Sequence, residues 1–162
     1  MTDRPVTTLR TARHGLGLLL PGLLLAAPLA GASESDGVAA GCARQFEQAQ
    51  RTDMESFRDY DAETFRAMHH DNAVTIFASG AMRVGIDAIM QTFASHFQNR
   101  EALWSWTEVY RHVDGCRAAY IVYDTVYELP SIGFRQRARV GVAYTHDGDQ
   151  WLAIADQNTR LP

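Results

Sequence analysis

The sequence predicts an α+β fold: a cone-shaped, curved, mixed or antiparallel sheet with three N-terminal helices over its concave face. Three observations carry this. Apolar residues recur at three- and four-residue steps from Cys42 to Tyr60, one face of an amphipathic helix. Asp61 to Phe97 then compresses a short helix, an acidic turn, a strand, a tight hairpin and a further helix into 37 residues. From Leu103 onward long alternating stretches are joined by Asp114-Gly115 and Asp147-Gly148, the dipeptides of tight hairpins.

The first 32 residues read as a secretory signal. Arg4, Arg10 and Arg13 form a basic start, and Leu16 to Leu29 is an apolar run broken by Pro21 and Pro28. Ala30-Gly31-Ala32 supplies the small residues of a cleavage site, so cleavage is expected after Ala32. The run is short for a membrane span and holds a proline, which favours removal over a retained anchor. Arg10 and Arg13 are not adjacent, which fits the general secretory route better than the twin-arginine one. Cys42 lies well beyond the apolar run, behind Glu34 and Asp36, a poor place for a lipid attachment site. The protein is therefore expected outside the cytoplasm, secreted or periplasmic. Ser33 to Gly41, small and acidic, is expected as a flexible leader, and residues 42–162 as a single domain, a length that buries a real core.

Charge excludes several partners. The 162-residue chain carries a net charge of -4, and all 15 basic residues are arginine. Removing residues 1–32 takes away three Arg and one Asp, leaving 12 basic against 18 acidic residues. Neither a nucleic-acid footprint nor attraction to an anionic membrane fits that balance. Two cysteines, Cys42 and Cys116, stand in an oxidising compartment. A bridge between them is favoured over two free thiols, which oxidation threatens there. It closes a loop of 74 residues, worth about 4 kcal/mol in the chain-entropy description.

Within the domain, Phe46, Ala49, Met54, Phe57 and Tyr60 form the inner stripe of the first helix. Asp61 is a natural N-cap for the second, from which Phe65 and Met68 or His69 face inward, and Asp71-Asn72 ends it. Ala73 to Phe77 is β-branched and aromatic enough for a strand. Ser79-Gly80 turns it into Met82-Arg83-Val84, and Gly85 releases the third helix, striped by Ile86, Ile89, Met90, Phe93 and Phe97. The remaining strands are Leu103–Val113, Cys116–Leu129, Phe134–His146 and Trp151–Asn158.

This order resembles the nuclear transport factor 2-like superfamily, and within it the SnoaL-like branch of domains of unknown function. The residues carrying the resemblance are Asp61, Asp71-Asn72-Ala73-Val74, Gly80, Gly85-Ile86-Asp87-Ala88-Ile89 and Asp147-Gly148-Asp149-Gln150-Trp151. The resemblance covers roughly Cys42 to Thr159 and implies a cavity between helices and concave sheet. Two departures stand out. Where steroid isomerases of the superfamily keep a carboxylate base, this chain aligns Phe77, and near the place of their oxyanion-stabilising acid it has Val142. The His-x-His of the kinase-association branch corresponds here to Ala155 and Gln157.

Candidate site residues follow from strand alternation. Trp104, Trp106, Glu108, Tyr110 and His112 are expected on one face; Tyr120, Val122, Asp124, Val126 and Glu128 share another; Leu152, Ile154, Asp156 and Asn158 share a third. Asp124 and Asp156 are the candidate catalytic acids. Asp124 sits mid-strand among apolar neighbours, where a carboxylate is costly unless paired. It is either a cavity acid or base with a raised pKa, or an outward Asp paired to an Arg on the next strand, the commoner arrangement. Tyr60, His69, Trp106, Tyr110 and Asn158 are the candidate ligand contacts. For Tyr60 and His69 the commoner reading is a core residue with one hydrogen bond each. Arg135, Arg137 and Arg139 share a strand face, which reads as solvated and paired with acidic neighbours.

No metal or cofactor is expected. His69 and His70 are adjacent, so on a helix they point about a hundred degrees apart, and no phosphate loop, dinucleotide fingerprint or serine-nucleophile motif occurs. Three functions fit. The first is an exported domain binding a small, largely apolar molecule. The second is an isomerase, cyclase or dehydratase using a cavity Asp with Tyr or His. The third is a homodimerising assembly domain.

Overall fold

A computed structural model describes residues 31–162 of the chain. The signal segment falls outside the described residues but for 31 and 32. Helix α1, Gly31–Arg58, is followed by α2, Ala62–Ala67; strand β1, His69–Ile76; β2, Met82–Val84; and two short helices, α3, Ile86–Thr92, and α4, Ala94–Asn99. Four long strands complete the chain: β3, Leu103–Asp114; β4, Ala118–Leu129; β5, Phe134–His146; and β6, Trp151–Arg160. The six strands form one open mixed sheet in the order β2-β1-β6-β5-β4-β3. β1 runs parallel to β6 and every other neighbouring pair is antiparallel. No described helix is long and apolar enough to cross a membrane.

Four features differ from the expectation. Residues 33–41, expected as a leader without structure, are the start of α1, whose alanines favour helix. The third helix is broken at Phe93 (φ −90°, ψ 6°) into α3 and α4, which turns Phe93 and Phe97 toward Phe57 from successive segments. β1 begins four residues early, at His69; Asp71 and Asn72 bulge outward within it as its register against β6 shifts between His69 and Val74. Finally, Val109 is an extra residue in β3: Glu108 pairs with Tyr123, but Tyr110 pairs with Val122. This bulge inverts the alternation beyond it.

The inner stripe of α1 lies over the sheet. Phe46 is fully buried, its ring 5.2 Å from those of both Tyr144 and Trp151. Tyr123 and Ile121 of β4 and Val142 of β5 complete that core. A second cluster fills the end under α2–α4, centred on Phe57 with Phe65, Ile86 and Ile89. A disulfide joins Cys42 to Cys116 at a Cα–Cα separation of 5.3 Å, tying the upstream half of α1 to the β3–β4 turn. At the other end of α1 the chain reverses through Tyr60, in the left-handed region at φ +60°. Asp61 then caps α2 by accepting the Thr64 N–H at 3.0 Å.

Candidate functional site

The two clusters, which meet at Trp104, leave a hollow between α1, α2, the α3–α4 break and the inner face of the sheet. Its volume is about 310 Å³. Most of the wall is apolar: Phe57 and Phe65, Phe93, Trp104 and Tyr127, Val140 and Val142. Phe77 and Val142, the two positions at which the resemblance would place catalytic acids, both lie in this wall and are apolar.

Five polar side chains, Asp53, His69, Gln136, Asp156 and Asn158, also line it, and a hydrogen bond joins Asp156 to Asn158. Asp53 comes from the C-terminal part of α1, seven residues after Phe46 and four before Phe57, so the helix repeat places it on the buried stripe. The residue is 4% exposed. Tyr144 donates to Asp53 Oδ2 at 2.6 Å, and His69 Nδ1 lies 3.8 Å from Oδ1. Burial pushes the Asp53 carboxyl upward, against the opposing pull of His69 and the Tyr144 hydroxyl. Burial, and next the charge of Asp53, hold Tyr144 protonated far above its usual range, so it remains a donor.

His69 opens β1. Its Nδ1 lies 2.7 Å from the carbonyl of Phe65; a carbonyl only accepts, so Nδ1 carries a hydrogen. That leaves Nε2 without a hydrogen-bond partner among the described residues.

Asp156 lies on β6 opposite Val142. Thr75 donates to its Oδ2 at 2.6 Å, and Asn158 Nδ2 donates to its Oδ1 at 2.7 Å while also reaching the Ile76 carbonyl at 3.1 Å. Burial raises its carboxyl from 3.8 to about 6, more than Thr75 and His69 pull it down, and the nearby charge of Asp53 adds to the rise. The result is an acid that gives up its proton close to neutrality, with two neutral donors fixing its orientation. Among the described residues no three His, Cys, Asp or Glu side chains are grouped to hold a metal ion.

The structure brings together Asp156, Asn158 and His69 of the sequence candidates, and separates the others. Asp124 is on the outer face, where Arg139 of β5 binds both its oxygens at 2.8 and 3.1 Å and holds its carboxyl below the usual range. It is therefore a surface ion pair and not a cavity acid. Tyr110 is turned outward by the Val109 bulge and is 54% exposed. Trp106 stays on the inner side but under α1, with the Arg58 guanidinium 5.5 Å from its ring, away from the hollow. Tyr60 donates to the Ala102 carbonyl and fastens the turn after α1 to the start of β3. His96, buried against Phe57 with ring centroids 3.9 Å apart, hydrogen-bonds the Phe57 carbonyl through Nε2 at 2.7 Å. Asp53, Thr75 and Tyr144 were missed as site residues. The signal for Asp53 was a charged residue in phase with an apolar helical stripe.

Comparison with known proteins agrees with the architecture. No protein-family model matches the chain, and no curated protein matches it. Solved structures do. A protein from Novosphingobium aromaticivorans, described as NTF2-like with a cystatin-like fold, superposes with a TM-score of 0.67 at 12% identity, covering 80% of this chain and 88% of that one. An NTF2-like protein of unknown function from Pseudomonas putida gives 0.63 at 18%, covering 76% and 89%. A ketosteroid isomerase-like protein from Erwinia carotovora gives 0.58 at 13%, covering 74% and 95%. At such identities the likeness establishes the fold alone. The chain has the nuclear transport factor 2-like, or cystatin-like, fold.

Proposed function

We propose that this protein binds a small, largely apolar molecule in the hollow between its helices and the inner sheet face. The supporting observation is the hollow itself: about 310 Å³, walled mostly by aromatic and aliphatic side chains, with a few polar side chains among them. That composition is the usual character of a small-molecule site, in which apolar walls supply affinity and a few polar atoms fix orientation. Native mass spectrometry of protein purified from the cells that make it tests this directly. The expected result is an adduct of constant mass that denaturation releases and that Val142→Trp, which fills the hollow, abolishes. A bare mass, together with no rise in melting temperature across a panel of small aromatic compounds, would overturn it.

A second reading has its own support in Asp156, an inner-face acid whose carboxyl burial raises to about 6 against the opposing pull of Thr75 and His69. A carboxylate of that kind suits proton abstraction next to a carbonyl, the step shared by isomerases and many cyclases and dehydratases. Exchange of the α-protons of 2-indanone in heavy water tests it. Catalysed exchange lost in Asp156→Asn supports the enzyme; equal rates in both proteins rule it out.

Export and self-association complete the proposal. The basic start, the apolar run to Leu29 and the Cys42–Cys116 disulfide support a secreted or periplasmic protein. N-terminal sequencing of the native protein should begin at Ser33; an intact Met1 would contradict it. Exposed Tyr110 and Tyr120 on the outer face of β3 and β4 support a homodimer through the sheet, which sedimentation of Tyr120→Glu against the parent chain would detect.

A further inference from the structure

The polar part of the hollow is one-sided in its chemistry. Its side chains are two carboxylates, Asp53 and Asp156, one imidazole, and the neutral amides of Asn158 and Gln136. Although the chain has 15 arginines, none among the described residues lines the hollow. The two acids are also under-supplied with donors. An ionised carboxylate has about four lone-pair sites. Asp53, 4% exposed, receives one hydrogen bond among the described residues, from Tyr144 to Oδ2. Its Oδ1 has His69 Nδ1 only at 3.8 Å, and that nitrogen's hydrogen is directed to the Phe65 carbonyl. Asp156 receives two, both from neutral groups. Buried carboxylates normally sit beside a cation or a full set of donors, because leaving them bare in a low-dielectric site is costly. The surroundings suit a cation as well: the rings of Phe57, Phe65, Phe93 and Trp104 line the same hollow as the acids, and aromatic rings attract cations.

Building on the reading of the hollow as a ligand site, we propose that its ligand is a lipophilic amine, whose protonated nitrogen seats between Asp53 and Asp156 while its hydrocarbon part fills the aromatic wall. The ammonium supplies the donors that Asp53 Oδ1 and the outer lone pairs of Asp156 lack. Its cost of leaving water is offset by two opposite charges at once. A carboxylate-bearing ligand meets the reverse situation: a third negative charge in the same small space, with no arginine to receive it. A neutral alcohol fills the wall but satisfies only one acceptor.

Three probes of one shape test the assignment by calorimetry on the intact chain at pH 7.5: 2-phenylethylamine, 2-phenylethanol and 3-phenylpropanoate. The amine should bind at least about tenfold more tightly than the alcohol, the increment of one charge-assisted hydrogen bond, and the propanoate most weakly. In Asp156→Asn the amine's advantage over the alcohol should shrink toward parity. An alcohol that equals or beats the amine in the parent protein overturns the amine and leaves the apolar site standing. A propanoate that binds most tightly does the same. If none of the three binds, both the amine and the ligand site fail. The parent-protein comparison requires no variant to fold.

Discussion

Replacing Asp156 by Asn should make the protein more stable at neutral pH than it is at pH 4, relative to the unsubstituted chain. The carboxyl is buried beside Asp53 and its folded-state pKa is raised from 3.8 to about 6. Such a group is harder to ionise in the fold than in the unfolded chain. Its contribution to stability is therefore complete below about pH 4 and is lost as pH rises through about 6. Two pKa units at about 1.4 kcal/mol each set the loss at roughly 3 kcal/mol. Asn cannot ionise, so its variant escapes that loss. At pH 4 the two proteins differ only in how Thr75 and Asn158 hydrogen-bond an amide instead of a neutral acid. Urea unfolding of both proteins at pH 4.0 and pH 7.5, followed by near-ultraviolet circular dichroism, measures the effect as a double difference. The variant should gain up to about 3 kcal/mol on the parent between the two values. A double difference near zero would mean that Asp156 titrates like an exposed acid and that the acidic part of the hollow is open to water. A change in favour of the parent would mean that a cation already satisfies it.

Three more outcomes follow from particular contacts. Reducing the Cys42–Cys116 disulfide, or replacing both cysteines by Ala, should lower stability by up to about 4 kcal/mol, seen as a drop in the urea midpoint; no drop would mean that the 74-residue loop is already restrained in the unfolded chain. Phe57→Ala should cost about 3–5 kcal/mol, because its ring meets those of Phe65, Phe93, His96, Phe97 and Trp104; a thermal melt within a degree or two of the parent would contradict the packing. Asp124→Asn, which breaks an exposed pair with Arg139, should leave both stability and probe binding close to the parent values, and a lost ligand affinity there would return Asp124 to the site.

How much of this was legible before the structure depends on which residues one asks about. The strand boundaries were accessible because Asp114-Gly115 and Asp147-Gly148 fix both hairpins and the strands between them alternate cleanly. Asp156 and Asn158 were found because they follow one another in phase on a single strand ending. Tyr110 was misplaced for a definite reason: a one-residue bulge leaves no mark in an alternating sequence yet reverses every side chain after it. Asp124 takes the commoner of the two arrangements open to it, an outward aspartate paired with Arg139 on the next strand; sequence alone does not separate the two, since an aspartate among apolar neighbours looks the same on either face. His69 was picked for the wrong element, a helix in place of the first residue of β1, and reached the hollow all the same. Asp53 is the instructive omission. It interrupts the Phe46–Phe57 stripe, and a stripe read for its apolar members alone passes over the one charged residue that shares their face.

Methyl-resolved NMR of the intact chain, titrated in turn with 2-phenylethylamine and 2-phenylethanol, bears most directly on whether the hollow receives a ligand. Saturable shifts confined to Met54, Val140 and Val142, the methyl-bearing residues of the wall, are the predicted result. Shifts at Val122 and Val126 on the outer face, with those three unmoved, would place binding on the wrong side of the sheet and contradict the account.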